Sequence, residues 1–496
     1  MALPLLLLSV FAVVGLVCLS GRPLMSVAAM LVAAAAVAGC FYRRWSLLDL
    51  CYLAMIGGCL RAAVSYRFGY ALAGGLIMAA LFGLAVLCWL IAGWHGHIQR
   101  PFHGNGRYVS LFVIFFVGWT ALSYFTAVDR NTSLRATIAL PLVMLWGHWV
   151  VPASLTNTRH VKAVLRFIVY IAAFVVIFNT LTAIRPVEYG GFRVGWWGKA
   201  DWEGKQRAAS EEELEAFGAT RRYPVAFFGH PSAMASFLAI CIVPTLYFIV
   251  TGTDRRSRLL LALLMAGIVI YLLLTGSRNS AGAAIVAAMA FTYLYSRRAF
   301  LYTFLVIVLL AAVVVGSVYV VVYEYGLPIS AHYLVIKFLK ADVTSGRLEI
   351  WQGAAENMAK RPWFGLGING AHLVRRRNLL VAGFSTAHNA YIRLAEETGL
   401  CTALWMLAYM GLLLGTAWRM HVRKIGGRLL GAAFFATFAG IFAHQMFDVY
   451  MVPSMNQTPS GIALVFLAGA LLKLPELADD DEAEATPHTQ DEVEVA

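Results

Sequence analysis

A chain of 496 residues that is 60% hydrophobic and only 13% charged, with a mean hydropathy of +0.72, does not read as a soluble domain. Apolar runs of about 20 residues are the length at which a helix crosses a bilayer with its backbone satisfied. The net charge of +13 does not point to nucleic acid, because the basic residues stand in short clusters between apolar runs.

Apolar runs fall near 2–20, 24–42, 46–65, 69–94, 107–127, 134–152, 163–184, 232–251, 258–275, 280–296, 299–323, 399–418, 428–447 and 459–474. Some are short or carry a charge, such as Asp49 and Arg61 in the third, so hydropathy alone gives roughly 12–14 spans. Arg43-Arg44, Arg159 with Lys162, Arg255-Arg256 with Arg258, Arg297-Arg298, and Arg419 through Arg428 punctuate alternate boundaries. Placing all of them in the cytoplasm is self-consistent and puts both termini inside. The chain then divides into N-terminal membrane helices (1–184), a first outer segment (185–231), central membrane helices (232–323), a large outer helical loop (324–398), C-terminal membrane helices (399–474) and a tail (475–496). The acidic stretch from Glu476 has almost no apolar content and is expected to be disordered. The seven cysteines lie in or beside apolar runs with no C-x-x-C, and read as packing residues without disulfides or metal. Val37-Ala38-Gly39-Cys40 resembles a lipoprotein cleavage box, but it follows two apolar segments and is taken as chance.

The outer segments are basic as well: Arg193, Arg221, Arg222, Arg278, Arg347, Arg361, Arg375-Arg376-Arg377 and Arg393. Outward arginines beside a membrane fit an anionic ligand, phosphate above all. Anchoring to lipid headgroups is the alternative. Trp196-Trp197 and Trp202 fit an interfacial belt better than stacking on sugar rings. Ser210 before three glutamates predicts a capped helix start. Arg278 sits at the tip of a short turn, Gly276-Ser277-Arg278-Asn279, where small neighbours leave room for a bound group.

In the second outer segment Ser345 through Ala355 reads as part of a helix, with Leu348, Trp351 and Ala355 on one face. Pro362 and Gly365-Leu366-Gly367 end it in a loop. Ser385 or Thr386 then caps a further helix, placing His388 in its first turn. The positive end of that helix favours the neutral imidazole that a general base needs, and its free N–H groups attract anions. No zinc, P-loop or dinucleotide pattern occurs, and no outer D-x-D, so no metal or cofactor is expected.

Four stretches occur in order: Leu274-Thr275-Gly276-Ser277-Arg278; Ser345-Gly346-Arg347-Leu348 with Trp351; Pro362 with Gly365 and Gly367; and His388-Asn389 with Ile392, Glu396 and Gly399. Together they resemble the O-antigen ligase and polymerase superfamily of polytopic membrane glycosyltransferases. Phe228-Gly229-His230-Pro231-Ser232, after Arg221-Arg222, is similar to that family's segment before a mid-chain span. The family usually has Asn where His230 and Ser232 stand, so either arginine fits its functional position. The resemblance covers roughly residues 215–450; the amino-terminal third matches only in hydropathy.

The resemblance implies an all-α polytopic membrane protein of about 12 spans with a large periplasmic helical loop near the C-terminal end. It implies transfer of a glycan from an undecaprenyl-diphosphate donor, in the ligase branch to lipid A–core oligosaccharide, on the periplasmic face of the bacterial inner membrane. Membrane lipids surround the chain and nucleic acid has no part. His388 is then the base for the acceptor hydroxyl. Arg222 and Arg278, with Arg221 and Arg347, steady the leaving diphosphate without metal. Trp351, Asn389 and Glu396 are candidate supports. An O-antigen polymerase or a protein O-oligosaccharyltransferase would share the motifs. A transporter of lipid-linked sugar fits less well, because mid-span charges are few and no internal repeat is visible.

Overall fold

The computed structural model describes residues 47–49, 51–52, 54–56, 85–86, 89–90, 106–184, 188–189, 192–193, 196–198, 222–224, 228, 230–323, 347–371, 374, 387–449 and 459–484. From residue 106 onward α1 is Gly106–Leu122 and α2 is Arg130–Leu145, which runs on through a π turn at Trp146–Val150 into Val151–Ser154. The next helix, α3, is Thr158–Ile184. Short strands follow: β1 Glu188–Tyr189, β2 Phe192–Arg193, β3 Trp196–Gly198 and β4 Arg222–Pro224. Then come α4 Pro231–Thr251, α5 Arg255–Leu274, α6 Arg278–Tyr295, α7 Arg297–Tyr323 and α8 Arg347–Lys360. The last are α9 Ala390–Thr398, α10 Leu400–Arg423, α11 Arg428–Gln445 and α12 Pro459–Glu484.

Seven of the described helices are long and apolar enough to cross a membrane: Tyr108–Thr126, Ala136–Ser154, Thr158–Ile184, Pro231–Thr251, Arg255–Leu274, Leu400–Arg423 and Pro459–Asp479. The chain is thus a polytopic helical membrane protein. The all-α expectation holds for the bundle; the described strands are two short antiparallel pairs, β1 with β2 and β3 with β4. The helix expected at Ser210 and the spans expected before residue 47 lie outside the described residues.

Sequence sets which helices are innermost. Pro459–Leu471 of α12 is buried on every side, as a helix that is apolar all round must be. It packs against α3, α4, α10 and the π turn. On α5, by contrast, Leu259, Leu260, Leu263, Ile270 and Leu273 face outward, as do Leu301, Leu305 and Leu309 of α7. Apolar belts of this extent belong against lipid. The α6–α11 pair packs most closely, with Gly440 set against Ala287, the small-residue contact typical of membrane helices. His148, fully buried within the π turn, has both ring nitrogens engaged, by the Met144 carbonyl at 3.0 Å and the Tyr409 hydroxyl at 2.7 Å. It is a satisfied core histidine. The segment expected as disordered tail begins as helix: α12 passes 474 and runs to Glu484, with Lys473 bound to Glu476 at 2.7 Å.

A clamp joins α8, α9 and α10. Leu366 N–H donates to the Glu396 carbonyl at 3.0 Å and Leu400 N–H to the Pro362 carbonyl at 2.9 Å. Arg393, counted from sequence among arginines that would meet an anion, is instead buried. It pairs with Glu397 at 3.1 Å and donates to the Asn369 side chain at 3.0 Å. Gly399 has φ +94°, and a Cβ there would overlap the Trp363 carbonyl oxygen. Gly399→Ala is therefore expected to sharply reduce the yield of folded protein, read by size-exclusion of the detergent-solubilised chain. A wild-type yield and melting temperature would contradict the packing of this junction.

The inward face of α8 also differs from the expected one. Ile350 and Ala354 are buried, Trp351 is half-buried, and Leu348 is exposed. Leu348 and Ile350 lie on opposite sides of the helix, two residues and about 200° apart.

Candidate active site

The starts of α4, α6, α8 and α9 gather around the end of α11. Asn279, in the first turn of α6, donates to the Phe447 carbonyl at 2.8 Å, and Ser280 meets His444 Nε2 at 3.2 Å. Tyr391 at the start of α9 donates to Gln445 at 2.8 Å. Asn389 is the cap of α9: its side-chain oxygen accepts from Tyr391 N at 2.9 Å and Ile392 N at 3.0 Å, and its amide donates to the Met446 carbonyl at 2.8 Å. This corrects the expected start at Ser385 or Thr386, which lie outside the described residues. Asn wins because its oxygen reaches two free N–H groups at once while its nitrogen ties the helix to α11.

His388 therefore precedes the helix rather than lying in its first turn. Its backbone has φ +47°, a left-handed conformation that a side chain rarely adopts. Two neighbours hold it there: Trp351 Nε1 donates to the Ala387 carbonyl at 2.8 Å, and Asn389 locks the other side. Strain of this kind, held by the surrounding structure, is found where a side chain must be aimed.

His388 Nδ1 points at Asp448 Oδ1, 3.9 Å away. The imidazole is 32% exposed and the carboxylate 5%. The separation is an ion-pair distance rather than a hydrogen bond, and such contacts commonly tighten when substrate binds. Burial alone would push the Asp448 carboxyl up. His388, His444 and the Val449 N–H at 2.8 Å outweigh it and hold the group below the ordinary carboxylate range. Asp448 is thus a buried anion whose partners are imidazoles.

Two of the expected arginines join this group. Arg347 opens α8; burial lowers its pKa, with Asp448 opposing that and Arg278 adding to it. The guanidinium stays charged all the same. Arg278 opens α6 and is exposed. Guanidinium groups beside several helix N-termini form a cationic patch suited to phosphate oxygens. Arg222 is described in its backbone alone, in β4 opposite Gly198, and β4 lies against α4 and α5. Arg221 lies outside the described residues.

Glu396, expected as a support for His388, stands about 12 Å farther along the chain by helical rise. It is fully buried and accepts from the Asn357 amide at 2.9 Å, as part of the clamp. Sequence reasoning missed Asp448 and His444. The available signal was a histidine and a carboxylate near the end of an otherwise apolar run. A cleft of about 580 Å³ between Phe125–Val128 and Lys360–Gly365 takes none of these residues. It lies at the other end of α8, about 20 Å from Arg347.

Residues 260–407 match the family model described as O-antigen ligase. The chain carries a domain of the O-antigen ligase superfamily. A comparison with curated proteins gives no match. Within the O-antigen ligase segment lie Arg278, Arg347, Trp351 and His388. Asp448 and His444 fall outside it, so the O-antigen ligase domain meets flanking helices at this site. The O-antigen ligase match covers less than a third of the chain, ending in α10.

Proposed function

We propose that this chain is an O-antigen ligase of the bacterial inner membrane, working on the periplasmic face. It moves a glycan from undecaprenyl diphosphate to a hydroxyl of lipid A–core oligosaccharide. The observation that carries the reading is the convergence of the His388–Asp448 pair with Arg278 and Arg347 at one end of the membrane bundle.

The chemistry follows from charge. Asp448 holds the proton of His388 on Nδ1, which leaves Nε2 to act as base. The acceptor hydroxyl gives its proton to Nε2 as its oxygen bonds to the anomeric carbon. The bond from that carbon to the diphosphate oxygen breaks on the opposite face, so the anomeric configuration inverts. Negative charge grows on the departing diphosphate, and Arg278 and Arg347 face it, with Arg222 or Arg221 as a third cation. The guanidinium groups supply the charge that a divalent metal supplies elsewhere, so chelator should leave the rate unchanged.

Lipopolysaccharide from a strain lacking the gene tests the reading. A ligase loss leaves bare core and accumulates long carrier-linked chains. Core bearing a single repeat would instead identify a polymerase.

A further inference from the structure

We propose that the cleft at the far end of α8 docks the phosphorylated lipid end of the acceptor, lipid A, while the core oligosaccharide reaches across to His388. The inference rests on the ligase reading.

The cleft, about 580 Å³, lies between Phe125–Val128, beyond α1, and Lys360–Gly365, where α8 ends. The Pro362 carbonyl accepts from Leu400 at the start of α10, so the cleft opens at the same end of the bundle as His388. Its loop is drawn down along a span. Trp119 Nε1 donates to the Trp363 carbonyl at 2.9 Å, and the Trp119 ring stacks on Phe364 with centroids 5.0 Å apart. Trp119 stands about 10 Å by helical rise inside the end of its span at Thr126. The exposed rings of Phe125 and Trp363 therefore stand where headgroups meet acyl chains.

The polar side of the cleft is cationic. Lys360 and Arg361 line it and both are exposed, and no carboxylate lies among its described lining residues. Lys360 closes α8, where a cation also suits the negative end of the helix. Arg361, by contrast, reaches across the cleft: its Nη1 donates to the Thr126 carbonyl at 2.8 Å. That bond fixes the plane of a five-donor fork against the cleft wall. A guanidinium so held, with an ammonium beside it and aromatic rings at the membrane level, matches a phosphate carried on a sugar above acyl chains.

A phospholipid headgroup carries phosphate too, but the spacing favours the acceptor. The donor diphosphate faces Arg278 and Arg347, and the cleft lies about 20 Å from Arg347 along α8. Two lipids anchored in one leaflet cannot occupy one place, so donor and acceptor must stand apart while their sugars meet at the base. An oligosaccharide of several sugars on lipid A bridges that separation.

Lys360→Gln, Arg361→Gln and the double variant test the site. Each is purified and reconstituted in phosphatidylcholine liposomes with carrier-linked glycan and lipid A–core, the acceptor supplied intact or with its lipid A phosphates removed. Each single variant is expected to raise the acceptor KM about tenfold, with kcat and the donor KM unchanged. Removing the phosphates should raise the acceptor KM of wild type and leave that of the double variant where it was. If Arg361→Gln melts well below wild type, Lys360→Gln, which leaves the Thr126 bond in place, carries the same test. An acceptor KM unmoved by the substitutions, or an equal response of wild type and double variant to phosphate removal, overturns the docking site. Wild-type activity that depends on added phosphatidylglycerol and ignores the acceptor phosphates assigns the cleft to bulk lipid and overturns it as well. Failure of folded wild type to glycosylate lipid A–core in either form would instead sink the ligase reading itself.

Discussion

Replacing His388 with alanine lowers glycan transfer by about 10²–10⁴ and leaves donor affinity nearly unchanged. The loss falls on kcat because the imidazole acts only as the acceptor proton moves, whereas the arginines hold the diphosphate before and after. Folding should survive, since the side chain is one-third exposed and bears no part of the core. His388→Gly makes the case sharper. Glycine relieves the left-handed backbone at φ +47°, by about 1–2 kcal/mol. This variant should therefore melt at or above the wild-type temperature while transferring nothing measurable. Activity and stability moving in opposite directions is the mark of strain kept for function. A glycine variant with normal activity would remove His388 from the chemistry.

Replacing Asp448 with asparagine is expected to lower kcat by about 10²–10³. The amide can still accept the Val449 N–H, so the turn after α11 is preserved. What disappears is the negative charge beside His388 Nδ1. Without it nothing favours the tautomer that leaves Nε2 as the base, and the imidazolium formed during transfer loses its counter-charge. The arginines that face the diphosphate remain in place, so KM for the donor should change less than kcat. Steady-state rates across pH, on variant protein shown to be folded by size-exclusion, provide the check. Equal kcat for variant and wild type would make Asp448 merely structural.

The legible part of this site was local. Arg278, Arg347 and His388 each lie in a short stretch whose own chemistry singled it out, next to an apolar run that fixed its depth. Trp351 was legible as a partner of the same helix, and its bond to the Ala387 carbonyl is what aims His388. The illegible part was long-range. Asp448 meets His388 across sixty residues, and Ser280 meets His444 across 164. No periodicity within a window reports such pairings. The helix start was misplaced because Ser385, Thr386 and Asn389 all have side chains able to cap, and only packing against Met446 selects Asn389. Arg393 was misjudged because its partner Glu397, one turn on, neutralises it inside the protein. The interior position of α12 was implicit in its unbroken apolar surface.

The most direct test is transfer by the purified chain alone, in liposomes holding undecaprenyl-diphosphate glycan and lipid A–core. Wild type is predicted to attach glycan to core and release undecaprenyl diphosphate in equal amounts, with chelator present, and His388→Ala to do neither. Equal product from the alanine variant, or none from folded wild type with both substrates supplied, would contradict the account.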